Sequence, residues 1–215
     1  MLSAIMLRYQ SVKLCYQEQG RHYHGQNYVP AILDALRPIE DRIHNIPAIE
    51  LALWWSKSKF VATDPVKTVK DSMIKLAEDM GGLACPVLIR RAHGFMASAA
   101  DSEMAASNGV PADTDTQYLI DATLAIFGSN PLVFAQYEAG LQAECSVATP
   151  ISQYRLVRLA VIRRHLRRPS IYTTEYFRTV YEHQARINLT DLETSLVRSI
   201  TSDQTSRRDQ RANDH

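Results

Sequence analysis

The ionisable residues of this chain that could do chemistry stand far apart in sequence. His24 closes Arg21-His22-Tyr23-His24, His93 closes Arg90-Arg91-Ala92-His93, and Asp121 lies in Leu119-Ile120-Asp121-Ala122. Two imidazoles and a carboxylate are the donor types of a reduced metal site, or of an acid–base set. The commoner role of such residues is to hydrogen-bond neighbouring helices and orient them. Lys57 offers a point charge for a phosphate or carboxylate, or else reaches solvent along its own stem. Arg90 and Arg91 cannot share a face, because successive helical residues diverge by about 100°.

A second set of charges is Arg155, Arg158, Arg163, Arg164, Arg167 and Arg168. Such density suggests nucleic acid, but Tyr154, Val157, Val161 and Ile162 give the same helix an apolar face. No aromatic platform is interleaved with the arginines, so they read as an exposed face and nucleic acid is not an expected partner. The net charge of +1 over 215 residues agrees with that reading. Cys15, Cys85 and Cys145 form no C-x-x-C pair and suit a reducing compartment. No run approaches the roughly 20 apolar residues that span a bilayer, and Arg8 and Gln10 end the apolar start too early for a secretory signal. A cytoplasmic protein without a membrane segment is the expectation.

The elements that must position these residues are helical. No stretch alternates at the period of a strand, and 46% apolar against 22% charged residues is an ordinary globular balance. The pattern predicts helices over Leu2 to Glu18, Gly25 to Leu36, Ile49 to Trp55, Asp64-Pro65 to Gly81, and Pro86 to Met96. Further helices follow over Gln117–Phe127, Pro131–Ser146, Ile151–Leu166 and Thr174–Ile200. Trp54 and Trp55 lie in a run that is apolar all round and read as core. Ala97 to Thr116, rich in Ser, Asn and Asp, reads as a loop over a cavity or a plain connector. Residues 1–201 read as one all-α domain, and residues 202–215 as a polar, disordered tail.

Several of these segments, in order, resemble the HD superfamily of metal-dependent phosphohydrolases. Arg21-His22-Tyr23-His24 is similar to its R-x-Y-H entry motif. Glu50 to Trp55 resembles the apolar helix leading into its His-Asp doublet, and Leu119 to Gly128 its L-D-x-D-L-x-I-L-G helix. Tyr154 to Leu166, Ile171-Tyr172, Tyr181-Glu182 and Ala185 to Leu189 continue the likeness, which spans about residues 8 to 196. The resemblance implies an HD-like helical bundle in which two histidines and two aspartates hold a divalent cation.

In this chain those four positions are Tyr28, Ser56, Lys57 and Thr123, while His24, His93 and Asp121 keep family-like positions nearby. At about 4 Å and an effective dielectric of about 20, two unit charges interact by about 4 kcal/mol. A dication facing Lys57 would meet about twice that as repulsion, so no metal and no cofactor is expected. The resemblance then implies a descendant without phosphohydrolase activity. It would bind a small anionic ligand, bearing phosphate or carboxylate, or a partner protein in the former cleft. His24, Tyr28, Ser56, Lys57, Arg90, His93, Asp121 and Thr123 would face that ligand. The alternative is an enzyme in the same cleft, with a rebuilt metal site or metal-free acid–base chemistry. A homo-oligomeric scaffold is the third reading.

Overall fold

The computed structural model describes residues 2–104, 111 and 113–213, and among them the chain is all-α, with no strand. Its helices are α1 (Leu2–Cys15), α2 (Tyr28–Leu36), α3 (Ile46–Trp55), α4 (Pro65–Met80), α5 (Pro86–Glu103), α6 (Thr114–Leu124), α7 (Pro131–Ser146), α8 (Ile151–Leu166) and α9 (Glu175–Asn213). Short 3-10 turns follow α2 (Arg37–Arg42) and α6 (Ala125–Gly128).

Local chemistry sets most of these boundaries. Four helices start on a side-chain cap: Asn45, Asp64, Asp113 and Asn130 each accept a backbone N–H from the first turn. Such a cap satisfies a donor that the helix itself leaves unpaired, worth about 1 kcal/mol. Proline in the first turn of α3, α4, α5 and α7 loses nothing there, because that N–H has no helical partner. Pro38 does the opposite at the end of α2, where the chain tightens into its 3-10 turn. α4 ends on Gly81-Gly82, with Gly82 at φ +74°, a backbone state that favours glycine.

α3 is buried nearly all round, through Ala48, Ile49, Leu51, Ala52, Leu53 and Trp55. It packs on α5, which also touches α4 and α6, while α9 lies along α8 and the second 3-10 turn. One apolar core runs from Val12 in α1 to Leu189 in α9. Each such side chain contributes about 1.5–3 kcal/mol by leaving water, so α3 is held by its surroundings rather than by propensity. Gly128 lets the 3-10 turn approach α9: a Cβ there would meet Tyr181 backbone oxygen at 2.6 Å.

Several boundaries differ from the sequence expectation: α2, α3 and α6 start three residues from the expected positions, and α1, α5 and α9 end elsewhere. α5 runs on through Ala97-Ser98-Ala99-Ala100-Asp101-Ser102 to Glu103, where a loop is expected. The three alanines favour helix, and the polar residues between them do not break it. Residues 105–110 and 112 of the expected loop lie outside the described residues. α9 continues from Ile200 to Asn213 through the expected tail, a stretch without Gly or Pro that carries Gln, Arg and Ala, all good helix formers; residues 214–215 lie outside the described residues. α1 stops at Cys15, short of Glu18.

No single helix is long and apolar enough to cross a membrane among the described residues.

Candidate functional site

The first residue of α2, the turn after α3, the last turn of α5 and the end of α6 converge. They bring Tyr28, Ser56, Lys57, Glu103 and Thr123 around one narrow cleft, backed by Phe95 and Met96. Lys57 is only 7% exposed. Its Nζ donates to Glu103 Oε2 at 2.7 Å, and the Tyr28 hydroxyl donates to Oε1 at 3.0 Å. Burial alone would push the Glu103 carboxyl up. The Lys57 charge and the two hydrogen bonds, from Lys57 and Tyr28, outweigh it and hold the group below its ordinary range. Lys57 is therefore not a free cation.

Beside this cleft, and sharing Lys57, Glu103 and Thr123 with it, lies a cavity of about 380 Å³. Its wall is mainly apolar and includes Phe60, Val61, Leu124, Ile126, Phe127, Leu141 and Val161. Thr63, Pro65, Gln153 and Val157 are exposed and form its mouth. His24, Lys57, Glu144 and Arg158 are buried at its inner end.

Every charge at that inner end is answered within the protein. Glu144 Oε1 accepts the backbone N–H of Tyr23 and of His24, at 2.8 and 2.7 Å. Its Oε2 lies 2.7 Å from His24 Nδ1. Burial raises the Glu144 carboxyl, but His24 and the two amides more than offset it and keep the group ionised. A carboxylate only accepts, so Nδ1 carries the imidazole proton. Burial lowers the His24 pKa against the pull of Glu144, which keeps the ring neutral. Arg158 donates to both carboxylate oxygens of Glu138 and, at 3.0 Å, to the Tyr137 hydroxyl. Lys57 and Arg158 against Glu103 and Glu144 give the lining a formal charge of zero.

The remaining residues singled out in the sequence lie elsewhere or are already engaged. Arg90 is exposed on α5, one position from the half-buried Arg91, which pairs with Asp113 at 2.5 Å. His93 Nε2 lies 3.0 Å from the Met73 carbonyl oxygen, tying α5 to α4. Neither Arg90 nor His93 lines the cleft or the cavity, because α5 turns that face away from Phe95 and Glu103. Asp121 accepts the backbone N–H of Thr173 and Thr174 and the Thr174 hydroxyl, which anchors the entry to α9. Ser56 and Thr123 donate their hydroxyls to Leu53 and Leu119 carbonyls of their own helices. The expected anionic pocket of Lys57, Arg90 or Arg91 and His93 is thus not assembled, since their faces diverge along α5.

Arg158 corrects the reading of α8. It is 8% exposed, whereas Val157 is 52% exposed. The series Tyr154, Arg158, Val161, Ile162, His165 has helical spacing and marks the inward face, so the signal was present. Glu103 and Glu144 carried no sequence signal: the first lies in the segment read as a loop, the second in an unremarked part of α7.

The cleft does not fit the divalent cation that the resemblance implies. One carboxylate faces it, and an ammonium already occupies that carboxylate. Among the described residues no group of three or more His, Cys, Asp or Glu is arranged to hold a metal. Comparison with protein-family models, with curated proteins and with solved structures found no match to this chain.

Proposed function

We propose that this chain is an HD-like protein that has exchanged metal-dependent hydrolysis for metal-free binding of a neutral, largely apolar small molecule. The HD part of the reading is supported by Tyr28, Ser56, Lys57 and Thr123. The resemblance alone assigns them to one site, and they line one cleft although they come from three separate segments. The ligand part is carried by a single observation: a cavity of about 380 Å³ with an apolar wall, whose buried charges are all paired.

Pockets of a few hundred Å³ with apolar walls and a few fixed polar groups are the usual form of small-molecule sites. An anion entering this one would have to separate Lys57 from Glu103 or Arg158 from Glu138. Breaking a buried pair in this way costs about 3–5 kcal/mol. A neutral apolar molecule needs no such rearrangement and gains about 25 cal/mol for each Å² it removes from water. The alternative of a phosphate- or carboxylate-bearing ligand is therefore second, and it requires Glu103 to move.

The test is fluorescence titration with N-phenyl-1-naphthylamine, a neutral apolar probe, against inorganic phosphate followed by calorimetry. Saturable probe binding that Val161→Phe abolishes, in a variant with unchanged melting, is the expected result. Phosphate binding tighter than the probe, or probe binding unaffected by Val161→Phe, would overturn the reading.

A further inference from the structure

Among the described residues, the polar inner end of the cavity leaves one ring nitrogen without a hydrogen bond. His24 is 7% exposed and lines the cavity; its Nδ1 is committed to Glu144. Its Nε2 makes no hydrogen bond among the described residues, yet it is not sealed in protein as both ring nitrogens of His165 are. The ring is fixed in place by Tyr23, Tyr28 and Phe60, whose centroids lie 4.7–4.9 Å from its own. Three rings and a carboxylate thus hold one imidazole in the wall of the cavity, with Nε2 its one ring nitrogen not hydrogen-bonded among the described residues.

Resting on the binding reading above, we infer that His24 Nε2 is a fixed hydrogen-bond acceptor for the cavity's ligand, which therefore carries a neutral O–H or N–H donor on an apolar body. Glu144 is acceptor-only, so it holds the proton on Nδ1, and the partner atom of a neutral imidazole must then be a lone pair. The hydrogen bond at one ring nitrogen sets the role of the other. Burial keeps the ring neutral, so Nε2 stays an acceptor. A carboxylate cannot satisfy it, because it offers only lone pairs, and a fully ionised phosphate ester fails likewise. A ketone or ether fails for the same reason. A phenol, an alcohol or an amide N–H succeeds, and it leaves the Lys57–Glu103 and Arg158–Glu138 pairs intact. An unanswered acceptor in such a place costs more than a hydrogen bond to it gains, which makes this one atom a strong filter.

The probes are 2-naphthol, 2-methoxynaphthalene and 2-naphthoate, which share one apolar body and differ in donor and charge. Calorimetry at neutral pH should give 2-naphthol the highest affinity, above 2-methoxynaphthalene by about five- to tenfold, the worth of one hydrogen bond. Glu144→Gln reverses the proton's position without changing shape. The glutamine carbonyl still accepts from the Tyr23 and His24 amides, while its NH2 donates to Nδ1 and moves the ring proton to Nε2. The preference for 2-naphthol should then collapse. A tautomer readout on the unmodified protein keeps the inference testable if that variant fails to fold. The His24 15N shifts should report a protonated Nδ1 and a lone pair on Nε2, and 2-naphthol should move the Nε2 signal. Equal binding of 2-naphthol and 2-methoxynaphthalene would overturn the acceptor role while leaving the cavity reading in place. Failure of both neutral probes would overturn the cavity reading itself, and tightest binding by 2-naphthoate would overturn both.

Discussion

The Lys57 ammonium and the Glu103 carboxylate stand 2.7 Å apart, joining the turn after α3 to the last turn of α5. Lys57 is the more enclosed partner, its side chain 9% exposed against 25% for Glu103. Lys57→Met keeps the stem's packing and leaves Glu103 with Tyr28 alone. The expected loss is about 3 kcal/mol, the lower end for a broken buried pair. Lys57→Met combined with Glu103→Gln should recover most of it, because no unpaired charge remains. Denaturant unfolding of the two single variants and the double variant measures this. Additive losses would show that the two groups are not coupled.

Arg158 and Arg155 lie one turn apart on α8 and should behave very differently. Arg158 is buried against Glu138 and Tyr137, whereas Arg155 meets Asp203 at a more exposed position. Arg158→Met should cost about 3 kcal/mol, and Arg155→Ala no more than about 1 kcal/mol. Equal effects in thermal or denaturant unfolding would contradict the assignment of Arg158 to the inward face.

His165 predicts an acid limb in the stability curve. It is fully buried, its ring nitrogens make no full hydrogen bond among the described residues, and burial with the Arg168 charge, against a weak pull from the Glu103 backbone, depresses its pKa from 6.5 to about 3. As pH falls below 6.5, the unfolded chain binds a proton that the folded chain refuses, so stability falls with pH. The slope from one such site is about 1.4 kcal/mol per pH unit. His24, also depressed by burial, acts in the same direction. His165→Leu should therefore remove about one proton's worth of slope between about pH 6 and pH 5, above the range of the carboxylates. An unchanged slope would mean that His165 is solvated or protonated in the folded state.

Restoring the family's ligands tests the resemblance itself. The combined change Tyr28→His, Ser56→His, Lys57→Asp and Thr123→Asp removes the ammonium and leaves Glu103 as an extra carboxylate. If the four positions hold family geometry, elemental analysis of the folded variant should find about one equivalent of divalent metal. A folded variant that takes up none would show that these positions are not the counterparts of the HD ligands.

Much of the fold was legible because its signals are local. Asp64-Pro65, Gly81-Gly82, Pro86 and Pro131 bound their helices through capping and proline chemistry that acts within one turn. Of the site, Tyr28, Ser56, Lys57 and Thr123 could be grouped only through the resemblance, since nothing in their own types draws them together. Glu103 and Glu144 could not be read at all. Their roles depend on Lys57 and His24, 46 and 120 residues away in sequence, and a single glutamate on a helix has no pattern that announces a distant partner. Arg158 escapes the sequence reading for a different reason: it stands in a series with Arg155, Arg163 and Arg164, and that charge run hides the spacing that places it inward.

Binding in the cavity should need neither metal nor a charged ligand. The direct measurement is titration of N-phenyl-1-naphthylamine into the unmodified protein, with and without chelator, with and without added manganese, and in the presence of phosphate. The account predicts one affinity throughout, insensitive to chelator, to manganese and to phosphate, since the cavity's charges are paired and its wall is apolar. Probe binding that fails without a divalent cation, or that phosphate displaces, would contradict it.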